Sequence, residues 1–441
     1  MDYDAAVAAL RSRGRFGISL GLARIEALLE ELGNPQRRLR GALIGGTNGK
    51  GSVVALARSA LQAAGLRVGT MPKPHLVTYR ERIALDGRPI SRAQFAAALA
   101  AVGPTIETVT ARLGPPTEFE ALTAAAFQHL AGAGIDLALV EVGLGGRLDA
   151  TNVLDAGVAA ITNVQHDHER LLGSTLAAIG AEKADIVKAG DLAVTGAGGR
   201  GLAPILARCA EVRTPLRRAG RGQPYDAVLR DSGWDGIVID APRPGGTLQA
   251  LRVGLLGRHQ AANAAVALAL LDALVEDAAR RGSPIPLDER AIRRGFADAR
   301  WPGRLELLKT TPIGPVVLDG AHNPAGARAL ARALSELGLR DFPMIFGAMR
   351  GKRVAAVLRA LAPLDPRPVF TQVADPGAIP AAELLRRWRR IGRDAGRTAP
   401  DPDAALRVAA ALRRMPTQPV VVVGSLYLVG AVRGILRGEE A

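Results

Sequence analysis

The sequence predicts an α/β protein of two domains, each built on a mostly parallel β-sheet. Short apolar runs that fit buried parallel strands alternate with longer helical stretches along most of the chain. At 441 residues, the chain is longer than one hydrophobic core usually serves. Apolar residues make up 48% of the chain, which is enough to build two substantial cores.

We predict that the first α/β series forms an N-terminal domain over residues 1–298, with a mostly parallel sheet. Its buried strands are expected at residues 39–46, 135–144 and 156–164. The segment 51–65 follows the first strand and is expected to be a helix. Residues 225–256 alternate and carry turn signals, which predicts a small antiparallel region, and an Ala- and Leu-rich helix follows at 261–279.

A second α/β series predicts a smaller C-terminal domain over residues 299–441. Its strands are expected at residues 314–320, 342–349, 368–373 and 418–425. The segment 300–308 lies between the two series, and its Pro302–Gly303 break suits an interdomain linker. Ligands of such sheets bind beyond the carboxyl ends of the strands, so we expect an active site in the cleft between the two domains.

The chain carries a formal net charge of +15, so polyanionic partners have to be considered. Aromatic residues make up only 3% of the chain, which leaves few stacking platforms for single-stranded nucleic acid. The sequence has no RNA-recognition signature, zinc-finger spacing or basic-region zipper. We therefore interpret the arginines as a general compositional bias and expect no nucleic-acid partner. A basic, nucleotide-regulated nucleic-acid-binding protein is the alternative from a different class.

The remaining composition favours a cytoplasmic protein with no membrane partner. Cys209 is the only cysteine, so the chain cannot form an internal disulfide, which fits a reducing compartment. The first ten residues lack the basic start of a signal peptide. The longest apolar run, residues 261–275, is interrupted by Asn263 and Asp272 and is too short to span a bilayer. We expect a monomer.

Residues 45–52 read GGTNGKGS and lie between a predicted strand and a predicted helix. Glycines allow backbone N–H groups to approach phosphate oxygens, and a helix N-terminus favours anions. The segment departs from the pattern G-x-x-x-x-G-K-[ST], because Ile44 stands at the first glycine and Gly51 follows the lysine. A plain turn is the alternative, but the setting favours a phosphate site in which Lys50 lies against the β- and γ-phosphates. The predicted nucleotide contacts are Gly46, Thr47, Asn48, Gly49, Lys50, Gly51 and Ser52.

Further segments match, in the same order along the chain, the motifs of one family. They are KPHLVTYRERI (73–83), TEFEALTAAAF (117–127), VEVGLGGRLDATN (140–152), HDHERLLG (166–173), EKADIVK (182–188), GRHQAANAAVA (257–267), PGRLE (302–306) and DGAHNPAGA (319–327). The chain resembles the folylpolyglutamate synthase/dihydrofolate synthase branch of the Mur ligase superfamily, whose own phosphate loop reads GTNGKGS.

The resemblance implies a P-loop-type N-terminal domain and a Rossmann-like C-terminal glutamate-ligase domain. It implies an ATP-dependent enzyme that joins L-glutamate to a folate, to dihydropteroate, or to both. The acceptor carboxylate would first take the γ-phosphoryl group of ATP, and the glutamate amine would then attack the acyl phosphate. Another Mur-type amide ligase, acting on cell-wall or polypeptide precursors, is the alternative within the superfamily.

The resemblance also implies a site for one or two Mg²⁺ ions. Glu141 ends a predicted buried strand, where a carboxylate needs a cation or another partner, and His168 follows the next strand. With Ser52, these residues are the implied metal ligands. The HDH segment also raises the question of zinc, but neither a Cys cluster nor a clear third ligand accompanies it. A monovalent cation such as K⁺ is a further expectation.

Lys183 corresponds to the lysine that becomes carbamylated in the family. The chain has only six lysines against 51 arginines, so a retained lysine suggests chemistry that needs an amine. A carbamate would turn this cation into an anion that can hold a second Mg²⁺. The alternative is a surface lysine on a helix, paired with Glu182 or Asp185.

The resemblance assigns nucleotide contacts to the second half of the chain as well. Arg304 is expected at the γ-phosphate, Asp319 at the ribose or phosphate edge, and His322 near the phosphates or the carbamate. Asn263 is expected at the adenine, although a helix cap is its structural alternative. We expect Lys50, Lys183, Arg304 and His322 to be the catalytic residues. Such a site is complete only when both domains meet, which implies closure.

The acceptor contacts are expected on the segments around residues 73–83 and 117–127. The candidates are Lys73, His75, Arg82 and Glu120. Lys73 stands where the family has a serine that can contribute to Mg²⁺ binding, and a charged ammonium cannot be a metal ligand. Lys73 is expected to meet a phosphate or the glutamate tail of a folate, with a solvated loop lysine as the alternative.

Overall fold

The structure is a computed structural model, and it describes residues 1–14 and 21–438. Within these residues, the large N-terminal sheet has eight strands in the order β4-β3-β2-β5-β1-β6-β7-β8. The strands are β1 (Gly41–Gly45), β2 (Val68–Met71), β3 (Ala84–Leu85), β4 (Arg88–Pro89), β5 (Leu137–Glu141), β6 (Gly157–Ile161), β7 (Leu192–Thr195) and β8 (Leu216–Arg218). Strands β2, β5, β1, β6, β7 and β8 pair in parallel, and only β3 and β4 run antiparallel at the edge.

Two smaller sheets complete the strands in the described ranges. The first is antiparallel and consists of β9 (Val228–Gly233), β10 (Gly236–Arg243) and β11 (Gly246–Val253). The second consists of β12 (Glu306–Leu308), β13 (Val316–Asp319), β14 (Pro343–Phe346), β15 (Arg367–Phe370), β16 (Arg397–Thr398) and β17 (Val420–Val423). Its order is β12-β13-β17-β14-β15-β16, with β12 antiparallel to a parallel remainder. The predicted fold class, including the small antiparallel region, is confirmed.

The helices alternate with the strands, as the sequence predicts. They are α1 (Tyr3–Arg13), α2 (Ala23–Glu31), α3 (Lys50–Ala63), α4 (Arg92–Leu113), α5 (Glu118–Gly132), α6 (Glu169–Leu172), α7 (Leu176–Ala184), α8 (Ala203–Glu211), α9 (His259–Arg280), α10 (Glu289–Asp298), α11 (Pro324–Glu336), α12 (Val354–Leu361), α13 (Ala381–Arg389), α14 (Pro402–Ala411) and α15 (Leu426–Arg437). The helix expected at 261–279 is α9, and the helix expected at 51–65 is α3. In the ranges that the structure covers, no helix is long and apolar enough to cross a membrane.

Both large sheets are buried on their two faces, which explains the continuous apolar runs in their strands. In β1, Leu43 belongs to a core that also contains residues of α1, α2, α4 and α5, whereas Ala42 and Ile44 belong to the core on the other face, with residues of α3, α9 and α10. In β17, Val421 and Val423 face one core and Val420 and Val422 face the other. Side chains alternate between the faces of a strand, so a strand covered on both faces needs apolar residues at every position.

Helix α3 is held in place by close helix packing against α10. Gly295 of α10 lies directly against the backbone of Ala60, so a Cβ at this position would collide with the α3 backbone. Ala60 itself is fully buried. Because α3 carries residues 50–52 at its N-terminal end, this contact also fixes the position of the glycine-rich loop.

We predict that Gly295→Ala destabilises the protein by about 1–3 kcal/mol, because the added methyl group overpacks the α3–α10 contact. Gly132→Ala is the control, since a Cβ at Gly132 in α5 meets no atom within 4 Å. Its free energy of unfolding should stay unchanged or rise by up to about 1 kcal/mol. Urea unfolding measures both, and an equal effect of the two substitutions would contradict the packing argument.

Candidate active site between the two lobes

The glycine-rich loop leaves β1 and enters α3 in a conformation that requires glycine. Gly46 and Gly49 have φ values of 130° and 85°, in the left-handed region. A Cβ on Gly46 would collide with Thr162, and one on Gly49 would collide with the side-chain oxygen of Asn263. The N–H groups of this loop therefore lie close to the N-terminus of α3, where the helix favours an anion.

Residues after β6 hold the loop by hydrogen bonds. The hydroxyl of Thr162 and the Nδ2 group of Asn163 both donate to the carbonyl oxygen of Asn48, at 2.7 and 2.9 Å. The backbone N–H of Asn48 donates back to Oδ1 of Asn163 at 3.0 Å. Thr47 is bonded to the backbone of Gln165 through its hydroxyl. Asn163 was not predicted as a site residue, because its role depends on the pairing of β1 with β6.

Lys50 and Glu141 face each other at the carboxyl ends of β1 and β5. The Lys50 ammonium lies 3.8 Å from Oε1 of Glu141 and donates to the carbonyl oxygen of Gly46 at 3.2 Å. The Glu141 side chain is buried, and burial raises its pKa, opposed by the charges of Lys50 and Arg304. Ser52, in the first turn of α3, is also buried. The Glu141 carboxylate, the Ser52 hydroxyl and the Lys50 ammonium therefore lie together at the loop.

Asp167 joins the two lobes. Its Oδ1 accepts a hydrogen bond from the Lys352 ammonium at 2.8 Å, and its Oδ2 lies 3.3 Å from Nε2 of His322. Asn323 donates to Asp167 at 3.2 Å and to Asn48 at 3.0 Å. Although burial raises the pKa of Asp167, the His322 hydrogen bond and the Lys352 charge hold it well below its ordinary value. Neither Asp167 nor Lys352 was predicted as a site residue.

His168 adopts a left-handed conformation, with φ of 52°, and its Nε2 accepts a hydrogen bond from Lys352 at 3.2 Å. Burial and the neighbouring Lys352 charge lower the pKa of His168 to about 4. Its imidazole is therefore neutral near pH 7, which is the form that can bind a metal ion. Within the described residues, no group of three or more His, Cys, Asp and Glu residues is arranged to hold a metal ion.

The C-terminal lobe brings its predicted residues to the same place. Asp319, at the end of β13, accepts hydrogen bonds from the backbone N–H groups of Leu305 and Ala321, both at 2.8 Å. His322 bonds the Gly320 carbonyl through Nδ1 at 2.8 Å. Arg304 donates to the carbonyl oxygen of its neighbour Gly303 at 3.2 Å.

A cavity of about 750 Å³ gathers the nucleotide and metal candidates, which we call the nucleotide cavity. Its lining includes the loop residues Gly46, Thr47, Asn48, Gly49, Lys50, Gly51 and Ser52, and also Lys73, Glu141, His168, Lys183, Asn263, Arg304, Asp319 and His322. The sequence predicted all of these residues, and the fold brings them together from both lobes. The remaining candidates, His75, Arg82 and Glu120, are not among its lining residues.

Comparison with known families decides the class of the chain. The model of the Mur ligase middle domain matches residues 44–271, and that of the Mur ligase glutamate ligase domain matches residues 303–426. The dihydrofolate synthase/folylpolyglutamate synthase of Mycobacterium tuberculosis is 36% identical over 94% of this chain and 90% of its own length. The folylpolyglutamate synthase of Lacticaseibacillus casei is 35% identical over the full length of both chains.

The chain belongs to the folylpolyglutamate synthase/dihydrofolate synthase family of Mur ligases. Solved structures agree with this assignment. The folylpolyglutamate synthase of Mycobacterium tuberculosis, complexed with ADP and AMPPCP, superposes with a TM-score of 0.89 at 34% identity and covers 99% of each chain. The Escherichia coli FolC structure with DHPP and ADP has a TM-score of 0.85 at 29% identity, covering 99% of this chain and 98% of its own. As a member of this family, the chain is an ATP-dependent carbon–nitrogen ligase.

In this ligase, Lys183 is a buried residue at the end of α7, with 4% of its surface exposed. Burial and the charge of Lys50 lower the pKa of Lys183 to about 7. Glu182 pairs with Arg147 at 2.8 Å, and Asp185 lies 3.8 Å from Arg208. The alternative of a surface helix lysine is therefore wrong, because Lys183 is buried and lines the nucleotide cavity.

The acceptor candidates outside the nucleotide cavity form two local arrangements. Arg82 donates to Nδ1 of His75 at 3.0 Å, and the His75 ring contacts the Tyr79 ring in a tilted arrangement with centroids 4.3 Å apart. Burial and the Arg82 charge lower the pKa of His75 to about 3. Glu120 accepts the backbone N–H of Thr117 at 2.7 Å and pairs with Arg24 at 3.1 Å. These contacts show a structural use for Glu120 as a capping residue, and its acceptor role stays a prediction.

Lys73 connects the two regions. Its ammonium lies 3.5 Å from the centroid of the Phe119 ring, and burial lowers its pKa to about 8. Its backbone N–H donates to Oε2 of Glu141 at 3.3 Å. The solvated-lysine alternative is wrong, because the side chain packs on an aromatic ring next to the site instead of extending into solvent.

We predict that Lys50→Met weakens nucleotide binding about 10- to 100-fold, because a buried charge-assisted contact to phosphate contributes about 1.5–3 kcal/mol. Calorimetric titration with ADP or a non-hydrolysable ATP analogue measures the dissociation constant. Lys309→Met is the control, since Lys309 is exposed and pairs with Asp235 on the surface. Unchanged affinity in Lys50→Met would exclude a phosphate contact.

Proposed function

We propose that this ligase joins L-glutamate to the γ-carboxylate of a reduced folate, to the carboxylate of dihydropteroate, or to both, at the expense of ATP. The observation that carries this proposal is the nucleotide cavity, where a phosphate loop, a buried carboxylate and basic residues of both lobes converge. The names of the related enzymes support the choice of acceptor. A carboxylate is a poor electrophile, so an enzyme of this kind has to activate it before an amine can attack.

The chain's residues suit transfer of the γ-phosphoryl group to the acceptor. The loop N–H groups and Lys50 would hold the phosphates, and Asn263 beside Gly49 would meet the adenine. Arg304 and His322 would approach the γ-phosphate from the C-terminal lobe, with Asp319 fixing the segment between them. The acceptor carboxylate then becomes an acyl phosphate, the glutamate amine attacks its carbonyl carbon, and inorganic phosphate leaves.

The donor set at the loop fits Mg²⁺. Ser52 and Glu141 offer oxygen atoms and His168 a neutral nitrogen, and Mg²⁺ commonly combines few protein ligands with phosphate oxygens and water. When bound there, Mg²⁺ would screen the negative charges of the phosphates and the acceptor. A second Mg²⁺ would use a carbamate on Lys183, and a monovalent cation such as K⁺ stays a prediction.

The contacts of Asp167 suit closure of the two lobes around the substrates. Asp167 belongs to the segment after β6, whereas Lys352 and His322 belong to the C-terminal lobe. We place the boundary between residues 298 and 299. In support, α10 ends at Asp298 after packing on α3, and β12 begins at Glu306 in the C-terminal sheet. A monomeric state, a cytoplasmic location and the absence of nucleic-acid and membrane partners stay predictions.

A coupled assay of ADP release tests the proposed reaction. We expect ADP only when ATP, Mg²⁺, L-glutamate and an acceptor are all present. Dihydropteroate and tetrahydrofolate are supplied in separate reactions, and mass spectrometry checks that each product gains one glutamyl residue. The proposal would be refuted if ADP were released at the same rate without L-glutamate, or if no ADP were released with either acceptor. Tight, steeply salt-dependent binding of nucleic acid would then favour the other class.

We predict that Lys183→Ala lowers turnover by at least about 100-fold, because the carbamate would stabilise charge in the transition state. A small carboxylate such as acetate should restore part of the activity. Lys188→Gln is the matched control from the same motif, since Lys188 donates to Oδ1 of Asn152 at 3.0 Å and glutamine keeps a donor.

Carbamylation itself has a direct readout. The neutral amine reacts with CO₂, and with a pKa of about 7 the neutral fraction of Lys183 grows as the pH rises through 7. Exposure to ¹³C-labelled CO₂ should therefore give a carbamate NMR signal that increases over this range and is missing in Lys183→Ala. Full turnover in Lys183→Ala would exclude the catalytic role.

A further inference from the structure

A second cavity, of about 770 Å³, adjoins the nucleotide cavity. The two cavities share four lining residues, which are Lys73, Pro74, Arg304 and Leu426. The rest of its wall comes from helix α3, strand β2 and the loop after it, the β3–β4 edge, the start of α4, the segment around Trp301, and helix α15 with the residue after it. A ligand in this second cavity would therefore extend to the place where we propose that the acceptor is phosphorylated.

The wall of this cavity is strongly basic, and we call it the arginine cavity. Its arginines are Arg58, Arg80, Arg92, Arg300, Arg304 and Arg433, and Lys73 adds another cation. Glu81 is the one carboxylate among the lining residues given by the structure. Its two oxygens accept backbone N–H groups of Leu76, Val77 and Thr78, all at 2.8 Å. The lining therefore carries a large excess of positive charge.

Two of the arginines keep unused donors. The Nε groups of Arg58 and Arg80 are buried and have no hydrogen-bond partner. Arg80 donates from Nη1 to the Ile90 carbonyl at 3.4 Å. Burial lowers the pKa of Arg58, and the charge of Asp86 opposes this shift. Buried donors without partners are costly, so these guanidinium groups are suited to an anionic ligand.

The other arginines have partners that fix their positions. Arg433 pairs with Glu306 at 3.4 Å, and Arg300 donates to the carbonyl oxygens of Ala297 and Ala299. Arg304 stands in the wall between the two cavities. The arrangement is therefore a built surface of several guanidinium groups, and it suits a flexible ligand that carries several separate carboxylates.

We propose that the arginine cavity binds the γ-linked glutamate tail of the acceptor through the α-carboxylates of the tail. The inference rests on the proposed function, because it concerns the acceptor of that reaction. The reacting γ-carboxylate is at the end of the tail, so the preceding residues must lie next to the nucleotide cavity, as this cavity does. Each added residue contributes one further α-carboxylate, whose planar oxygens match a guanidinium group.

The acceptor preference of the enzyme follows from this geometry. A longer tail engages more arginines, so the arginine cavity would favour acceptors that already carry glutamate. Dihydropteroate has no tail and would gain nothing from Arg58 and Arg80. These residues would determine specificity for chain length and would leave the activation of the carboxylate unchanged.

The first experiment measures kcat/KM for tetrahydrofolate acceptors with one and with three glutamyl residues. In Arg58→Gln/Arg80→Gln, we expect the value for the triglutamate to fall about tenfold or more, and that for the monoglutamate to change by less than about threefold. Arg221→Gln removes one charge from an exposed site outside both cavities and is the control. Arg80→Lys, which keeps the charge, should retain most of the preference. An equal loss for both acceptors would overturn the proposal.

The second experiment needs no turnover. Calorimetry with free tri-γ-glutamate, without a pteridine, should show binding to the wild type and about tenfold weaker binding to the double variant, with equal urea midpoints. The proposed tail site would be contradicted if tri-γ-glutamate did not bind, or if it bound the wild type and the double variant equally. It would also be contradicted if inorganic phosphate at the same concentration displaced the peptide. If ADP release fails with every acceptor but the peptide binds through these arginines, the proposed reaction is wrong and the anion site stands. If ADP release succeeds without tail-length dependence, the reaction stands and this inference fails.

Discussion

The structure depends on one packing constraint, which is that three glycines of the loop at residues 46–51 have no room for a side chain. Thr162 closes on Gly46, Asn263 on Gly49, and the indole of Trp301 on Gly51. Asn323 of the C-terminal lobe reaches the side chain of Asn48. The loop is thus shaped by four separate segments of chain, one of which belongs to the C-terminal lobe. A phosphate group meets a backbone that is already in place, so little conformational entropy is lost when it binds.

The same packing creates an electrostatic imbalance that a polyanion would relieve. Lys50, Lys73 and Lys183 line the nucleotide cavity together with Glu141, and burial lowers the pKa of Lys73 and Lys183. Asp167 is already engaged by Lys352 and His322, and Asp319 by two backbone N–H groups. Buried lysines that line one cavity are suited to phosphates and carboxylates, which is what a ligase of this family brings together.

The sequence predicted the central strands and the loop because these signals are local. A strand covered on both faces is apolar throughout, and a glycine-rich turn between strand and helix is visible without the fold. The two-residue strands β3 and β16 carry no such signal, since their pairing depends on neighbouring strands. The contact of Asp167 with Lys352 joins residues 185 positions apart, so spacing could not indicate it. The dispersed arginines were interpreted as a compositional bias, yet the fold collects six of them from positions 58 to 433 in one cavity.

Lys73 and Arg304 stand in the wall shared by both cavities, where the proposed reaction would bring two anions together. A carboxylate and a terminal phosphate repel strongly at reacting distance in a poorly solvated site. In the proposed reaction, the charges of Lys73 and Arg304 would lower that repulsion. Serine at position 73 would supply a neutral oxygen in place of this charge. In the proposed reaction, the lysine would therefore change how charge is balanced where the two substrates meet, and the chemical steps would stay the same.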